Sequence, residues 1–403
     1  MKRKILIIPS WYPTLDNKAL GSFYREQALS LGDNFDLYVI TISPRKTNFF
    51  SFFYFYLARK FFYYEIPQPP SGFGIIYWQI GTPAFLSYFI PFVRRWEKFN
   101  YKIMCRYSYL SLMNKIGELN WNPDFIHAQS VINGGIFAHY LSDKFKVPYL
   151  ITEHQVFLMQ YYNKYEQNMI YFAIRNAKCF MVVSEHQKRQ ILMNGIACNP
   201  LVLGNMVDDN HFTINKAKKD VFNILAVTYP HYIKDNDTLF NAIKSLVSNA
   251  VRDFKVLIVG GDVNNPGMID KENPLYKQAE SYGVSEYVEI LNQVDREKMP
   301  EIYNKCDVLV STSIAETFGI ACCEAMMCGV PVIATANGGI DEMLTKQNGI
   351  KVPIGDHSAV AKAILQIKNK EILFNPEEVR SSVIGKFGKD AFRNKLMEIY
   401  KSV

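Results

Sequence analysis

The sequence predicts an α/β protein built from two parallel β-sheets, each covered by helices. At 403 residues the chain exceeds the size at which one hydrophobic core usually stops growing, so two domains are expected. Short β-branched runs alternate with longer helical patterns along the whole chain, as in βαβ units that build a parallel sheet. The apolar fraction of 49% and the charged fraction of 21% are those of a globular protein. We therefore expect two Rossmann-like domains.

Thirteen runs are the predicted strands. In the first half of the chain they lie at 4–9, 35–41, 75–80, 124–128, 149–152, 179–184 and 201–204. In the second half they lie at 222–227, 255–259, 288–291, 308–311, 330–334 and 349–352. The polar stretch 208–220 separates the two series and is the expected linker, so the domains are predicted at 1–212 and 213–388. An amphipathic segment within 389–403 predicts a final helix that packs back towards the first domain.

Cysteine spacing and apolar run length narrow the class of protein. The seven cysteines show no C-x-x-C spacing, so a zinc site and a disulfide framework are both poorly supported. The apolar run 5–8 is too short for a signal peptide and is followed by Pro9, so it predicts a first buried strand. No segment has about 18 uninterrupted apolar residues, so we expect no membrane-spanning helix.

The net charge of +7 is concentrated in the first half of the chain. Residues 1–212 contain 22 Lys and Arg against 14 Asp and Glu, whereas residues 213–403 contain 23 against 24. This bias indicates an anionic partner such as a membrane surface, an acidic glycan or nucleic acid. A solvated basic face without a partner is the alternative.

The most informative segment is 311–335, which reads S-T-S-I-A-E-T-F-G-I-A-C-C-E-A-M-M-C-G-V-P-V-I-A-T. It predicts a strand, a loop, a helix that begins near Gly319 and a second strand. Glu316 then follows the carboxyl end of a strand, where ligands bind in parallel sheets, and Glu324 lies on the helix. Free N–H groups at the helix start could hold a diphosphate, Glu324 could accept ribose hydroxyls and Glu316 a sugar hydroxyl. A helix cap and a solvated charge are the alternatives.

This segment closely resembles glycosyltransferase family 4. The resemblance rests on E-T-F-G-x-x-x-x-E-A-M-x-x-G-x-P-V-I-A-T followed by Gly338-Gly339-Ile-Asp-Glu342. It implies a GT-B fold, in which two Rossmann-like domains face each other across a cleft. It also implies a nucleotide-sugar donor held by the second domain, transfer with retention of anomeric configuration and no required metal or other cofactor. The donor loop would contain Thr317, Phe318, Gly319 and Ile320.

Two histidines and a glycine in the first half match the family in order. Gly21, within N-K-A-L-G-S-F-Y-R, resembles the glycine that lets backbone approach the reacting sugar, with a simple β-to-α turn as the alternative. His127 and His154 each follow a predicted strand and are expected to face the cleft, with a buried core histidine as the alternative for each. His154 is the candidate for binding the hexose, and Gln129 stands where the family often repeats a histidine.

The second half supplies the remaining candidates. Lys234 resembles the lysine that binds the donor diphosphate, but Thr228 or Tyr229 replaces the arginine that usually precedes it, and His231 is the nearest possible cation. Phosphate binding should therefore depend more on Lys234 and on helix N–H groups.

Three further positions complete the set of candidate site residues. Gly260 and Gly261 resemble a turn that borders the nucleotide base, and a plain tight turn is equally consistent with them. Asn205 stands in N-M-V-D, where the family has N-G-V-D, and is a candidate at the domain junction.

Two stretches of the first half combine aromatic and basic residues. Residues 49–64 contain eleven aromatics in sixteen positions beside Arg59 and Lys60, and residues 88–107 include Arg94 and Arg95. Aromatic side chains settle at membrane interfaces and basic ones near anionic lipid, so these stretches predict peripheral binding to an anionic membrane. Domain packing or an oligomer interface is the alternative. Nucleic acid is disfavoured, because no known binding module accompanies the basic residues.

The predicted function is therefore a cytoplasmic, membrane-peripheral, retaining glycosyltransferase of surface polysaccharide synthesis. It would move a sugar from a nucleotide diphosphate to a glycan or lipid-linked acceptor, with His154, Glu316 and Lys234 as catalytic residues. A non-catalytic GT-B scaffold subunit and a GT-B sugar-nucleotide epimerase are the alternatives.

Overall fold

The computed structural model describes most of the chain in two compact units. The described residues are 2–13, 20–46, 76–84, 105, 109, 112–113, 120–215, 221–261, 267, 269 and 271–403. The first unit comprises residues up to Val183, residues 188–203 and residues 396–403. The second comprises residues 184–187 and 204–395.

The first unit contains a parallel sheet that has seven strands in the described residues, in the order β3-β2-β1-β4-β5-β6-β7. Its strands are β1 Arg3–Pro9, β2 Phe35–Lys46, β3 Ile76–Ala84, β4 Phe125–Gln129, β5 Tyr149–Glu153, β6 Cys179–Val182 and β7 Leu201–Val202. The central strands β4 and β5 are buried along their whole length, as expected for a sheet covered on both faces.

Four helices of the described residues follow strands of this sheet. They are α1 Ser22–Leu31, α2 Ile136–Phe145, α3 Lys164–Asn176 and α4 Glu185–Met193. The start of α3 is fixed by a capping box, in which the Asn163 side chain accepts from the N–H of Glu166 and the Glu166 side chain accepts from the N–H of Asn163. Apolar side chains of α2 and α3 pack on β4 and β5 to form the core of this unit.

The second unit contains a parallel sheet that has six strands in the described residues, in the order β10-β9-β8-β11-β12-β13. Its strands are β8 Phe222–Val227, β9 Phe254–Val259, β10 Val288–Leu291, β11 Val308–Ser311, β12 Val332–Thr335 and β13 Gly349–Val352. Its helices are α5 Asn236–Ser248, α6 Pro274–Ser281, α7 Met299–Asn304, α8 Ile320–Met327, α9 His357–Lys368, α10 Pro376–Phe387 and α11 Lys389–Lys401. All thirteen strands predicted from the sequence are present among the described residues, with ends that shift by a few residues.

Short polar caps define where several helices of the second unit begin. Asp235 accepts a hydrogen bond from Thr238 N at the start of α5, and Asp356 accepts one from Ala359 N at the start of α9. Such caps satisfy N–H groups that have no partner within the helix, and each stabilises it by about 1 kcal/mol.

The junction between the units differs from the predicted linker at 208–220. Residues 208–215 are bound into the second unit, because Asn215 N donates to Asn304 Oδ1 and Asn304 Nδ2 donates to Thr213 O. Arg380 also donates to the carbonyl oxygens of Asp209 and Phe212. The change of unit therefore falls at Leu203 and Gly204, ahead of the polar stretch. Composition marked 208–220 as a linker, whereas several backbone groups of 209–215 are bound by side chains of α7 and α10.

The final helix is present as α11, and its last turns, from Leu396 onward, belong to the first unit. None of the helices in the described residues is both long enough and apolar enough to cross a bilayer. The predicted membrane-binding stretches, 49–64 and nearly all of 88–107, lie outside the described residues.

Candidate active site

The order of the second sheet places one pair of loops at a topological switch point. Successive crossovers run outward from β8 in one direction and from β11 in the other, so the loops that follow these two strands diverge. In open parallel sheets ligands bind at this point, beyond the carboxyl ends of the strands. The two loops are joined by hydrogen bonds from Ile314 N to Ile233 O, at 2.7 Å, and from Thr312 Oγ1 to Lys234 O, at 3.1 Å.

Lys234 and Glu316 meet at this switch point. Lys234 Nζ lies 2.6 Å from Glu316 Oε1, which also accepts a hydrogen bond from Ser313 Oγ at 2.9 Å. Both side chains are mostly buried, with 17% and 21% of their surfaces exposed. Burial lowers the pKa of Lys234, but the charge and hydrogen bond of Glu316 outweigh it and raise the pKa above its ordinary value. Lys234 is therefore a fixed positive charge that retains donors for another anion.

The predicted donor loop leads into α8. Gly319 begins this helix, and its carbonyl oxygen accepts from Cys322 N at 3.0 Å. Phe318 is buried against Phe387, and Thr317 O accepts a hydrogen bond from Ser184 Oγ at 2.6 Å. Ile320 is the first residue of the helix. The first N–H groups of a helix have no acceptor within it, so this end can bind an anion.

Glu324 is held by a second pair of side chains. Its Oε1 lies 2.8 Å from Arg296 Nη2, and its Oε2 accepts a hydrogen bond from Tyr303 Oη at 2.8 Å. Only 5% of Glu324 is exposed, so it is not the solvated charge that the sequence left open. The sequence reasoning did not identify Arg296 or Tyr303. A buried carboxylate must be paired, so the sequence could have indicated that Glu324 has a partner. It did not show which of the many polar residues that partner is.

Three other candidates of the second unit lie in the loops that follow β8 and β9, at the same sheet edge. His231 is exposed, and its Nδ1 accepts from Ile233 N at 3.3 Å. Gly260 has φ +146°, and a Cβ there would lie 1.6 Å from Thr228 O, so the close approach of the β8 and β9 loops requires glycine. Gly261 packs on Asn273, whose Nδ2 donates to Gly260 O. Asn205 is buried within the second unit.

One Asp-x-Asp triplet, Asp235-Asn236-Asp237, lies directly after Lys234. Carboxylates so spaced can share a divalent cation. Here they serve different partners, because Asp235 caps α5 and Asp237 accepts from Gln278 Nε2 and Tyr282 Oη. Among the described residues no group of three or more His, Cys, Asp or Glu side chains forms a candidate metal site.

The first sheet has its own switch point, between β1 and β4. Gly21 begins α1 with φ +67°, and a Cβ there would lie 2.8 Å from Trp11 O. The packing of the loop on itself therefore explains this glycine, which supports the turn alternative. Ser10 Oγ donates to Gln129 O at 2.9 Å, which ties the loop after β1 to the end of β4.

His154 lies beside Gln129 at this edge. His154 Nε2 is 2.7 Å from Gln129 Oε1, and the imidazole makes ring contacts with Phe23 and, at 4.8 Å, with Tyr24. Gln129, which the sequence marked as a departure from the family, is thus the partner of the candidate hexose-binding histidine. Because Gln129 Oε1 is an acceptor, His154 Nε2 is the donor of this hydrogen bond.

Glu153 was not singled out from the sequence. Its carboxylate is 1% exposed and accepts backbone hydrogen bonds at 2.8 Å from the N–H groups of Val131, His154 and Gln155. Burial raises the pKa of Glu153, and these hydrogen bonds only partly offset the effect. The Glu153 carboxylate thereby links the loop after β4 to the loop after β5. Gln129 and His154 lie where these two loops begin. A charged residue at the end of a buried strand was the available signal.

His127 is a buried core histidine, which is the alternative to the cleft-facing position expected from the sequence. Its Nδ1 lies 2.6 Å from Tyr400 Oη and its Nε2 lies 2.8 Å from Thr152 Oγ1. Burial lowers the pKa of His127 to about 3, so the ring is neutral. Both ring nitrogens are satisfied inside the unit, which corrects the expectation that this side chain faces a ligand.

Two family models match the chain in succession. The model described as Glycosyltransferase Family 4 matches residues 77–211, and the model described as Glycosyl transferases group 1 matches residues 207–382. Together they account for most of both units, including Lys234, Glu316 and Glu324.

Known proteins and solved structures are similar to this chain over most of its length. An uncharacterized glycosyltransferase of Methanocaldococcus jannaschii is 26% identical over 70% of this chain and 75% of its own. An uncharacterized protein in the cps region of Klebsiella pneumoniae is 27% identical over 71% and 81% of the two chains. The structure of Anabaena HepE in complex with UDP-glucose superposes with a TM-score of 0.70 at 16% identity, covering 99% of this chain and 100% of that one. The chain is thus a glycosyltransferase of the GT-B fold, in which a family 4 domain is followed by a glycosyl transferases group 1 domain.

Proposed function

We propose that this glycosyltransferase takes a hexose from a nucleoside diphosphate sugar and transfers it, with retention, to a glycan or lipid-linked acceptor. The observation that carries the proposal is the 2.6 Å pair of Lys234 and Glu316 beside the start of α8. A cation and free N–H groups suit a diphosphate, while the neighbouring carboxylate suits a sugar hydroxyl.

The leaving diphosphate would be stabilised by Lys234 and the helix start. The bond between the anomeric carbon and the phosphate oxygen breaks, and the acceptor oxygen forms its bond to that carbon on the same face. The acceptor proton passes to the released phosphate oxygen, so no enzyme nucleophile and no divalent cation is required. Glu316 orients the hexose through a hydroxyl, and His154 forms a further hydrogen bond with it. Electrostatic stabilisation of the leaving group would then supply much of the rate.

Two comparisons support the substrate and the pathway. HepE was solved with UDP-glucose, which favours a nucleotide sugar as the donor for a chain of the same fold. The Klebsiella relative lies in a cps region, which favours surface polysaccharide synthesis. The donor base, the sugar and the linkage stay open within this proposal.

A panel of UDP-, GDP-, ADP- and dTDP-sugars tests the proposal. One nucleotide sugar should raise the melting temperature of the purified protein, and slow donor hydrolysis should release its nucleoside diphosphate. Acceptor-dependent transfer followed by NMR of the anomeric proton should show the donor's configuration retained.

The same panel separates the alternatives. Turnover of the donor to an epimer without acceptor would identify an epimerase. Absence of binding by every nucleotide sugar would favour a scaffold subunit and contradict the proposal.

We further propose that the first domain binds the cytoplasmic face of an anionic membrane. The basic excess of residues 1–212 and the aromatic stretch 49–64 support this placement. The protein should float with anionic liposomes and float less in high salt, which shortens the screening length from about 8 Å at physiological ionic strength to about 3 Å at 1 M. It should float least when Phe52, Phe53, Phe55, Arg59 and Lys60 are replaced together by serine. Equal sedimentation with anionic and neutral vesicles would contradict a membrane site.

A further inference from the structure

The carboxylate of Glu324 is fixed from two sides within the second unit. Arg296 lies 2.8 Å from one oxygen, and the Tyr303 hydroxyl donates to the other at 2.8 Å. Arg296 and Tyr303 come from the segment after β10 and from α7, whereas Glu324 lies on α8. Three separate elements therefore determine one carboxylate orientation.

The two partners are themselves held in place. The Arg296 guanidinium lies over the Phe212 ring, 5.3 Å from its centroid, and only 11% of the Arg296 side chain is exposed. Tyr303 is fully buried and packs near the same Phe212 ring, at 6.1 Å. Burial, together with the Glu324 charge, raises the pKa of Tyr303 well above its ordinary value. Its hydroxyl therefore stays protonated and can only donate to Glu324.

This arrangement leaves the Glu324 carboxylate able to accept further hydrogen bonds. An ionised carboxylate has about four lone-pair positions, two on each oxygen. Arg296 and Tyr303 engage one oxygen each, so each oxygen retains one position for a further donor. Two acceptor positions on adjacent oxygens suit two adjacent hydroxyl groups.

We propose that Arg296 and Tyr303 are positioning residues that orient Glu324 to accept hydrogen bonds from both ribose hydroxyls of the donor. The inference rests on the proposed nucleotide-sugar function and on the ribose-binding role expected of Glu324 from the sequence, and what it adds is the orienting role of Arg296 and Tyr303. The enzyme should take ribonucleoside diphosphate sugars and discriminate against 2′-deoxyribonucleoside diphosphate sugars. A site built to bond a hydroxyl rejects the analogue that lacks it, because a buried charged acceptor is left unpaired.

Titration calorimetry with matched nucleotide pairs tests the inference directly. The probes are UDP, GDP, ADP and CDP, each beside its 2′-deoxy form. For whichever base binds, the wild type should prefer the ribonucleotide by about tenfold or more, the value of a hydrogen bond to a charged group.

Variants of the two partners should reduce this preference. Tyr303→Phe keeps the ring and its packing but removes the hydroxyl, and Arg296→Lys keeps the charge but loses the planar guanidinium. Both should bind the ribonucleotide more weakly while binding the deoxyribonucleotide nearly as the wild type does, so the ratio falls several-fold. Tyr282→Phe is the matched control, since it removes a tyrosine–carboxylate hydrogen bond to Asp237 elsewhere in the same unit.

The outcomes separate this inference from the proposed function. Nucleotide binding without a ribose preference in the wild type overturns the ribose selection alone. An unchanged ratio in both folded variants, judged by their melting temperatures, overturns the positioning role. Should Tyr303→Phe fail to fold, Arg296→Lys decides the question. No binding by any of the nucleotides would overturn the proposed function as well.

Discussion

The two units hold a buried carboxylate at the carboxyl edge of their sheets in opposite ways. Glu153, in the first unit, is bound mainly by backbone N–H groups of two loops, with one side-chain hydrogen bond to Ser130, and has no ion pair within the described residues. Glu324, in the second, is bound by the side chains of Arg296 and Tyr303. A carboxylate bound by backbone fixes the shape of the chain, whereas one bound by side chains keeps positions for a ligand. The first should matter most for stability and the second for binding.

Replacing Lys234 should have the largest effect on turnover, and it tests the binding role of the second sheet's carboxyl edge most directly. Lys234→Met removes the cation proposed to stabilise the leaving diphosphate, so turnover should fall by about 10²- to 10³-fold. Steady-state assays with the donor identified by the panel measure this loss. Lys277→Met is the matched control, since it breaks an exposed lysine–glutamate pair of 2.8 Å and should keep wild-type turnover. Turnover within twofold of wild type for Lys234→Met would remove Lys234 from the mechanism.

Glu153→Gln tests the structural role of the buried carboxylate at the carboxyl edge of the first sheet. An amide NH₂ cannot accept the hydrogen bonds that one carboxylate oxygen now accepts, and each unpaired buried N–H costs about 1–3 kcal/mol. The free energy of unfolding from urea titration should therefore fall by about 2 kcal/mol or more. Glu166→Gln, in the half-buried capping box of α3, should cost less than about 1 kcal/mol. Similar values for the two variants would mean that Glu153 does not act as a structural clamp.

Glu324→Ala and Glu316→Ala should separate binding from turnover. Glu324→Ala loses the ribose contact, so its affinity for the free nucleoside diphosphate should fall about tenfold or more. Glu316→Ala loses a hexose contact and the partner of Lys234, so turnover should fall with a smaller change in nucleotide affinity. Calorimetry and initial rates measured on the same preparations test this. Equal nucleotide affinity in wild type and Glu324→Ala would reject the ribose assignment.

His127 gives a smaller, pH-dependent effect in the first unit. Its folded pKa of about 3 lies below its ordinary value of 6.5, so below about pH 6.5 the unfolded chain binds a proton that the folded chain does not. Stability is full above that pH and falls on acidification, by up to about 1.4 kcal/mol per pH unit. His127→Asn should lose this part of the slope between pH 7 and pH 5. His357→Asn, at the start of α9, controls for the loss of a histidine, and an identical slope in wild type and His127→Asn would contradict the assignment.

Chelation should have the smallest effect. Lys234 and the start of α8 are proposed to serve the diphosphate, while Asp235 and Asp237 are each committed to other partners. Turnover in EDTA should therefore match turnover without it. Complete loss in EDTA that manganese or magnesium restores would show that a cation stabilises the leaving group.

The sequence predicted the elements of this fold better than their contacts. Alternation of apolar runs identified all thirteen described strands, and the motif around Glu316 located the switch-point loop of the second sheet. The pairing of Lys234 with Glu316 follows from topology, because both loops leave adjacent strands at the same edge. Local pattern was enough for these features.

What the sequence missed depends on partners far along the chain. Glu324 finds Tyr303 and Arg296 through the packing of α7 and α8, and the pattern of one helix does not identify the residue that faces it. His127 follows a strand end as His154 does, yet Tyr400, 273 positions away, completes its hydrogen bonds in the core. The stretch 208–215 is polar, like a linker, but its backbone atoms bind side chains of the second unit, and composition does not show such contacts.

The membership of the last eight residues in the first unit has a consequence for exchanging domains between relatives. Tyr400 is buried against Phe125 and Phe35, and its hydroxyl is the partner of His127. Its carbonyl oxygen accepts a hydrogen bond from Arg3. A chimaera that joins residues 1–203 of this chain to the remainder of a relative would inherit a foreign C-terminus and leave these groups unmatched. Recombination at one crossover should therefore give poorly folded proteins, whereas two crossovers that keep residues 396–403 with the first unit should preserve its core.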